Sequence, residues 1–479
     1  MSPSQETGRR HRVGILMICS MSLLIVGLDV TAMNVALPQI GSELNASLSW
    51  LQWTVSAYTV VMASFLMFAG SMADRLGRRR VLVTGMTVFA LASGLCAMAP
   101  SVEWLVAFRI IQGIGASMLN PVAMSIITNT FTEPRERAQA IGVWGAVFGA
   151  AMALGPVVGG AFVSSIGWAW IFLMNIPLGL TVIVLILRFV PESKASSPRR
   201  FDPIGQVLVV ILLGSLTFGV IEGPDAGWTS ALILSAFALT LISMTGLLVH
   251  EPRREQPLID LRFFRSIPFS SSIVIAVAAF ASFGGFLFLN TIYLQEVRGL
   301  SPVEAGVAIV PLALMTIILS PISGRMTGRD GPRKPLVIAG ISMSLASIML
   351  TGIDSTTSFA WLLSAYLIFG IGFGFVNAPI TNAAVSGMPL AQAGVAAAVA
   401  TTSRQFGQAI GVAVVGAIVV SQTGDSVSSG LATASHPAWW TLTGLGGLIL
   451  VLGTFATTRA ARDSACRTKT RLDPDAAVA

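Results

Sequence analysis

The stretch G-S-M-A-D-R-L-G-R-R-R, Gly70 to Arg80, joins two long apolar runs of the chain. A related stretch, G-R-M-T-G-R-D-G-P-R-K, extends from Gly324 to Lys334 at an offset of 254 residues. A second set of matches, with an offset of 257, pairs Gly113, Gly115 and Asn120 with Gly370, Gly372 and Asn377. Two nearly equal offsets predict a duplicated half.

The composition around these loops is that of a membrane protein. Hydrophobic residues make up 54% of the 479 residues, charged residues only 11%, and the mean hydropathy is +0.79. A soluble surface needs roughly 25% charged residues. Fourteen apolar runs are long enough to cross about 30 Å of hydrocarbon, where only helices satisfy their own backbone. An all-α integral membrane protein is therefore predicted, with spans at 13–35, 51–72, 81–99, 104–127, 138–163, 168–190, 204–221, 230–249, 268–290, 303–323, 335–353, 359–382, 395–420 and 437–457.

The positive residues indicate the orientation of these spans. If the N-terminus is cytoplasmic, 26 of the 29 Lys and Arg residues lie on the inner side, and only Arg298 lies in an outer loop. The other two, Arg109 and Arg404, lie within spans. By the positive-inside rule, we expect a bacterial plasma-membrane protein with both termini cytoplasmic. The net charge of +7 then reflects orientation and contacts with membrane lipids rather than binding to nucleic acid.

Several function classes lack the residues that they need. None of the three Lys lies in a P-loop context, and the three His and three Cys show neither metal-ligand spacing nor a disulfide framework. The longest predicted segment outside the membrane is a tail of about 22 residues. The sequence therefore predicts a protein that is not an enzyme and uses no metal or cofactor.

The repeat length predicts the organisation of the chain. At about 32 residues per span and loop, an offset of 254 residues corresponds to eight spans rather than six. Two six-helix bundles are therefore expected at 1–190 and 268–457, with two extra helices in the linker 191–267 and a cytoplasmic tail at 458–479. Parallel halves around a site at mid-membrane are a transporter architecture.

Four motifs resemble the major facilitator superfamily, and in particular its fourteen-span drug:proton antiporters. The most specific is L-D-V-T-A-M-N-V-A-L-P, Leu28 to Pro38. Asp29 is the only acid placed more than two residues inside a predicted span, and protonation relieves the cost of burying it. The resemblance implies that Asp29 carries protons, whereas a permanent structural ion pair is the alternative. Thr31 and Asn34 are candidates for the substrate cavity or for contacts between helices.

The second motif is R-I-I-Q-G-I-G-A-S-M-L-N-P, Arg109 to Pro121, which resembles the proton-relay motif of the family. Arg109 and Asp29 are expected at depths that differ by roughly 6 Å, within reach of an arginine side chain. Proton coupling is therefore assigned to Asp29 and Arg109, with snorkelling of Arg109 to the interface as the alternative. Gln112 and Asn120, together with Asn377 in the second half, are further candidates for cavity or helix contacts.

The loop Gly70–Arg80 is the third motif and resembles the signature loop of the superfamily. The resemblance implies a cytoplasmic gating latch formed by Gly70, Asp74, Arg75, Gly77, Arg78 and Arg79. We expect its arginines, including Arg80, to pair with Glu133 and Glu136 in the next inner loop. Positive-inside anchoring alone is the alternative, but it does not require the glycines.

The fourth motif, in span five, resembles the antiporter motif of the family and implies an exporter. Small residues there let helices approach closely, and a proline can kink the helix. Its residues are Gly145, Gly149, Gly155, Pro156, Gly159 and Gly160.

Three other features stay open between function and packing. Arg404 has no acid in a neighbouring span, and Glu222 is expected to be a solvated loop acid. Phenylalanines in spans nine and twelve either line a lipophilic cavity or pack together: Phe280, Phe283, Phe286, Phe288, Phe369, Phe373 and Phe375.

The resemblance implies a secondary active exporter that exchanges protons for lipophilic neutral or monocationic compounds, as in multidrug efflux and antibiotic resistance. The expected partners are small-molecule substrates, protons and membrane lipids, and a monomer is expected to function. The alternatives are a dedicated exporter of an endogenous lipid or metabolite, and a membrane receptor that does not transport.

Overall fold

The protein was studied as a computed structural model, in which residues 3–195, 201–254, 256–386, 388–423 and 431–472 are described. Fourteen of the described helices are long and apolar enough to cross a membrane, which confirms the predicted all-α fold class. A further polar helix, Arg459–Leu472, follows them near the C-terminus. The helices are α1 Pro3–Glu43, α2 Leu48–Leu76, α3 Arg78–Ala97, α4 Val102–Thr130, α5 Pro134–Ser165, α6 Ala169–Phe189, α7 Pro203–Ala226, α8 Ala231–His250, α9 Ile267–Ile292, α10 Pro302–Asp330, α11 Arg333–Leu350, α12 Phe359–Val385, α13 Leu390–Thr423, α14 Leu431–Phe455 and α15 Arg459–Leu472.

Each predicted span overlaps one of these helices. The largest difference is at α1, which was predicted at 13–35 and extends from Pro3 to Glu43. Hydropathy detects only the part that lies in hydrocarbon, whereas helical hydrogen bonds continue into the polar interface. Two helices are interrupted, α4 at Met118 and α6 at Met174.

The described chain forms two compact units. One comprises Met1–Ala46, Phe65–Phe201 and Ser301–Val310, and the other comprises Ser47–Ser64, Asp202–Leu300 and Pro311–Ala479. In the first unit α1 packs on α5, and α3 packs on α4 and α6. In the second unit α9 packs on α13, α11 packs on α12 and α14, and the extra helices α7 and α8 pack together.

The glycine matches of the repeat occupy equivalent packing positions within the two units. A Cβ at Gly115 of α4 would lie 2.6 Å from the backbone nitrogen of Phe89 in α3. A Cβ at Gly372 of α12 would lie 2.5 Å from Met343 Cγ in α11. The same close helix pair is therefore present in both units, as duplication predicts.

Candidate functional site

Asp29 lies at the centre of a buried polar network within the first unit. Its side chain is fully buried. Its Oδ2 accepts a hydrogen bond from Arg109 Nη1 at 2.6 Å. Its Oδ1 accepts from Gln112 Nε2 and from Asn175 Nδ2, both at 2.9 Å. The carboxylate thus receives one charged and two neutral donors from α4 and α6.

A second layer orients these donors. Ser93 Oγ of α3 accepts from Gln112 Nε2 at 2.8 Å and from Asn175 Nδ2 at 3.4 Å. Arg109 Nη1 also donates to Gln112 Oε1 at 2.6 Å, and its guanidinium lies 5.7 Å from the centre of the Phe172 ring. Four helices, α1, α3, α4 and α6, therefore hold the ion pair in one arrangement, and a change at the carboxylate affects contacts of all four.

The structure brings together the predicted pair of Asp29 and Arg109, and Gln112 joins them. Arg109 is only 1% exposed, so the alternative in which it snorkels to the interface was wrong. Asn175 and Ser93 were missed, because neutral polar residues are common in transmembrane helices. The depth of Asn175 in the membrane could have identified it. Asn175 lies close to the start of α6, just as Arg109 lies close to the start of α4.

Thr31 is a helix contact rather than a cavity residue. Its Oγ1 donates to the carbonyl oxygen of Gly27 at 2.7 Å, one turn earlier in α1. The same oxygen lies directly against Gly155 of α5, where a Cβ would overlap it. One turn further along α5, a Cβ at Gly159 would lie 2.8 Å from Ala32 Cβ. The glycines at 155 and 159 therefore allow α1 and α5 to approach closely.

The remaining glycines of the α5 motif differ in their packing. A Cβ at Gly160 would lie 2.5 Å from the Pro302 carbonyl oxygen, and the Pro156 carbonyl lies directly against Gly306, so both residues face the start of α10. Gly149 is buried. Gly145 is exposed, with no atom of the described chain near its missing side chain. A close helix contact at Gly145 was therefore a wrong prediction, because Gly145 lies on a face of α5 that no described residue packs against.

Two of the predicted asparagines present unused acceptors. Asn34 Nδ2 donates to the Val30 carbonyl at 3.0 Å. Asn34 Oδ1 is buried and accepts no hydrogen bond from the described residues, and the same holds for Asn120 Oδ1. In the second unit, the carbonyl of Asn377 accepts from Arg404 Nη2 at 3.3 Å, and this nitrogen also contacts Thr381 Oγ1.

The Gly70–Arg80 loop is held by a residue that sequence reasoning missed. Glu192, after α6, accepts hydrogen bonds from the backbone nitrogens of Arg79 and Arg80, at 3.1 and 3.3 Å. Its carboxylate therefore lies at the N-terminus of α3, where a negative charge stabilises the helix dipole. Gly77 has a φ of +112° and lies against Glu192, so the turn requires a residue without a Cβ.

The predicted pairing of the loop arginines with Glu133 and Glu136 was wrong for Arg78 and Arg80. Arg78 Nη2 donates to Asp74 Oδ1 at 2.9 Å, one turn earlier, and Arg80 lies 3.8 Å from Glu192. Glu133 instead caps α5 by accepting from the Glu136 backbone nitrogen, and Glu136 pairs with Arg12 at 2.5 Å. Of the other loop positions, Arg75 is exposed and Gly70 has open space beside it.

Glu222 is not the solvated loop acid that was predicted. It lies within α7, and its Oε1 accepts from Trp53 Nε1 at 2.6 Å. The helix continues to Ala226 because its last residues are held by such contacts, including Ser49 Oγ with Asp225 Oδ2 at 2.6 Å.

The phenylalanines of α9 and α12 pack against one another. Phe286 stacks on Phe369 with ring centres 4.2 Å apart, and Phe283 stacks on Phe373 at 4.4 Å. All four rings are at most 3% exposed. These four phenylalanines therefore pack together rather than line a cavity, and they stabilise the contact between the two helices.

Replacing Gly155 by alanine is expected to lower the free energy of unfolding by about 1–3 kcal/mol, the usual cost of overpacking. The added Cβ overlaps Thr31 Oγ1. The measurement is thermal unfolding in detergent, with Gly145→Ala, which meets open space, as the matched control. The double variant Gly155→Ala/Thr31→Ala should recover part of the loss. No recovery would contradict the assignment of Thr31 as the opposing contact.

The comparisons with known proteins agree with this architecture. The model of the Major Facilitator Superfamily matches residues 19–412. The chain is 34% identical to the multidrug resistance protein Stp of Mycobacterium tuberculosis over 412 residues, 86% of this chain and 76% of that protein. It is 34% identical to the tetracenomycin C resistance and export protein of Streptomyces glaucescens over 424 residues, 88% and 78% of the two chains.

A third relative is the multidrug efflux pump LfrA of Mycolicibacterium smegmatis, 32% identical over 403 residues, which are 84% of this chain and 80% of that one. Among solved structures, a peptide transporter POT in complex with sulfate superposes with a TM-score of 0.68 at 17% identity, covering 95% of each chain. A D-xylose-proton symporter gives a TM-score of 0.65 at 14% identity, covering 93% of this chain and 97% of that one. With a family match over most of its length, the chain belongs to the Major Facilitator Superfamily.

Proposed function

We propose that this protein is a proton-coupled multidrug exporter, which moves lipophilic neutral or monocationic compounds out of the cell. The observation that carries the proposal is the fully buried Asp29, whose carboxylate joins three helices through Arg109, Gln112 and Asn175. The names of the relatives, as drug efflux and antibiotic resistance proteins, support export as the direction and drugs as the substrate class.

The network gives Asp29 two states that differ in charge. When ionised, Asp29 balances Arg109, and these are the only buried charged side chains among the described residues of the first unit. When Asp29 is protonated, its hydroxyl becomes a donor, and a buried arginine keeps one uncompensated positive charge. The positive charge then favours other contacts for α1 and α4, so the proton shifts the equilibrium between two helix arrangements.

The free acceptors Asn34 Oδ1 and Asn120 Oδ1 are the substrate contacts that we propose in the first unit, with Asn377 in the second. The membrane potential contributes about 2.3 kcal/mol per 100 mV for each inward charge, before any pH gradient. A single proton thus supports modest accumulation of substrate outside.

The positive-inside asymmetry supports a plasma-membrane location with both termini cytoplasmic. An even number of spans agrees with termini on one side. We further propose that the Gly70–Arg80 loop acts as the gating latch, that α5 is the antiporter helix, and that residues 1–190 and 268–457 are the two rocking halves of a functional monomer.

The test of the proposal is efflux of a panel of fluorescent lipophilic dyes from cells, and uptake of the same dyes into inside-out vesicles with and without an imposed pH gradient. Export of several unrelated dyes that collapses with the gradient is the expected result. Transport of a single compound class would favour a dedicated lipid or metabolite exporter instead. Dye binding without any transport would overturn the proposal in favour of a receptor.

Replacing Arg109 by alanine is expected to shift the pH optimum of efflux upward. Arg109 Nη1 lies 2.6 Å from Asp29 Oδ2, and removing a cation from beside a carboxylate disfavours the charged form of an acid. Arg109→Lys should be intermediate, since it keeps the charge and loses the planar fork. The measurement is the vesicle transport rate across a pH series. An unchanged profile for Arg109→Ala would mean that the two residues do not act together.

A further inference from the structure

A basic cavity of about 430 Å³ lies in the second unit between the end of α8 and the start of α9. It is bounded by two short 3₁₀ turns, Glu251–Arg253 and Leu261–Arg265. Three arginines line it, Arg254, Arg262 and Arg265. By the count of spans, this cavity lies on the same side of the membrane as the N-terminus.

The acids near these arginines do not neutralise all of them. Asp260 forms an ion pair with Arg262, whose Nε and Nη2 donate hydrogen bonds to its carboxylate at 3.0 and 2.7 Å. Arg254 Nε is 3.9 Å from Asp202, and its side chain is 41% exposed. Arg265 is exposed and forms no ion pair with any residue that the structure describes. Arg265 is therefore open to an anion, and the exposed side of Arg254 can reach one as well.

Glu251 forms the buried floor of the cavity. It is 1% exposed, and its Oε2 accepts from the Ile259 backbone nitrogen at 3.3 Å. Asp202 caps α7, because its Oδ1 accepts a hydrogen bond from the Gly205 backbone nitrogen at 3.1 Å. The same oxygen lies 3.0 Å from His250 Nε2. These contacts fix the turn that presents the arginines.

Exposed apolar side chains lie next to the lining residues in the sequence. Leu248 and Val249, in the last turn of α8, are 54% and 49% exposed. Phe264, between two of the lining arginines, is 41% exposed and packs edge-on against Phe269. An anion with an attached hydrocarbon chain matches this combination of charged and apolar groups. The chain would cover apolar surface that is otherwise in contact with water, which is favourable.

The polar helix α15 adds positive charge next to the cavity. It packs on the 261–265 turn, and Ser464 Oγ accepts from the Ile267 backbone nitrogen at 3.0 Å. Segments 251–265 and 459–472 together carry nine Lys and Arg residues and four Asp and Glu residues. Such an excess attracts the anionic lipids of a leaflet surface.

We propose that this cavity binds the phosphodiester headgroup of an anionic phospholipid, with Arg254, Arg262 and Arg265 on the phosphate oxygens and the acyl chains beside Leu248 and Phe264. Arginine suits this role because its planar fork donates two parallel hydrogen bonds to a phosphate. The site is separate from the Asp29 network and does not depend on the transported substrate.

The test is the affinity of the full-length protein for phosphatidylglycerol, measured by native mass spectrometry in mixed micelles against phosphatidylcholine. The double variant Arg254→Gln/Arg265→Gln removes the two exposed guanidinium groups that do not hold Asp260. The matched control is Arg329→Gln/Arg333→Gln, two exposed arginines on another loop of the same side. We expect the cavity variant to lose about tenfold or more in affinity for phosphatidylglycerol, and the control to stay within about twofold.

Equal losses in the two double variants would overturn the proposal, because the attraction would then be a general effect of surface charge. A parallel arm uses inorganic phosphate alone. Displacement of phosphatidylglycerol by millimolar phosphate, with the same dependence on Arg265, would assign the site to a soluble phosphate instead. If the double variant does not fold, the single variant Arg265→Gln, at an exposed side chain, is measured in the same way, and unchanged affinity there also overturns the proposal.

Discussion

Asparagine in place of Asp29 is expected to abolish efflux driven by a pH gradient. Asparagine keeps the size of the side chain and cannot carry a proton, so the site loses its two charge states. The carboxylate contacts Arg109, Gln112 and Asn175, and no other acid of the first unit is buried among the described residues. No neighbouring group can therefore replace it. The measurement is dye transport in vesicles with an imposed pH gradient.

Two controls separate coupling from folding. Asp29→Asn leaves Arg109 buried without its counter-charge, which costs stability, so the double variant Asp29→Asn/Arg109→Gln removes both charges. It should fold and exchange substrate down its concentration gradient without responding to pH. Asp29→Glu should keep part of the coupled activity, because it still titrates. Full gradient-driven transport by Asp29→Asn would end the assignment of Asp29 as the proton carrier.

Rigid dications are expected to be exported at least about tenfold more slowly than monocations of equal lipophilicity, a difference of about 1.4 kcal/mol in the barrier. The buried network holds a single carboxylate, Asp29, among the described residues of the first unit, so it can balance at most one positive charge of a substrate. A second positive charge would remain uncompensated in a low-dielectric site, at a cost of several kcal/mol. The measurement compares a mono-quaternary and a bis-quaternary ammonium dye in the same vesicles.

Equal rates for the two dyes would mean that another acid serves the substrate. Glu222, held by Trp53 at 2.6 Å, and Glu296, exposed after α9, are then the first residues to replace by glutamine. A selective loss of dication transport in either variant would identify that acid.

The sequence was sufficient for the fourteen helices because the thickness of the bilayer imposes one length on every span. It was also sufficient for the pair of Asp29 and Arg109, because a charge within an apolar span is costly and an opposite charge at a similar depth reduces that cost. Asn175 and Ser93 could not be selected in this way, since many neutral polar residues satisfy themselves against their own helix, as Thr31 does with the Gly27 carbonyl.

Loop partners were less predictable than buried ones. Several acids lie within reach of the Gly70–Arg80 arginines, and proximity in sequence favoured Glu133 and Glu136. In the structure the loop contacts Glu192 instead, because α6 ends beside the start of α3. That proximity is a result of tertiary packing and cannot be read from the sequence. Asp202 and Glu251 were overlooked because both lie at helix ends, where hydropathy assigns residues to water although the packing buries them.

The contacts of residues 190–195 bear on any attempt to build a twelve-helix version of this chain by excising α7 and α8. The Arg78 backbone nitrogen donates to the Ser193 carbonyl at 2.9 Å, and the Ala195 nitrogen donates to the Asp74 carbonyl at 3.1 Å. This short extended segment is therefore a structural part of the first unit, although the sequence predicts it as the beginning of a linker. A deletion that starts at residue 191 removes the support of the α2–α3 turn, whereas a splice placed after Ala195 retains it.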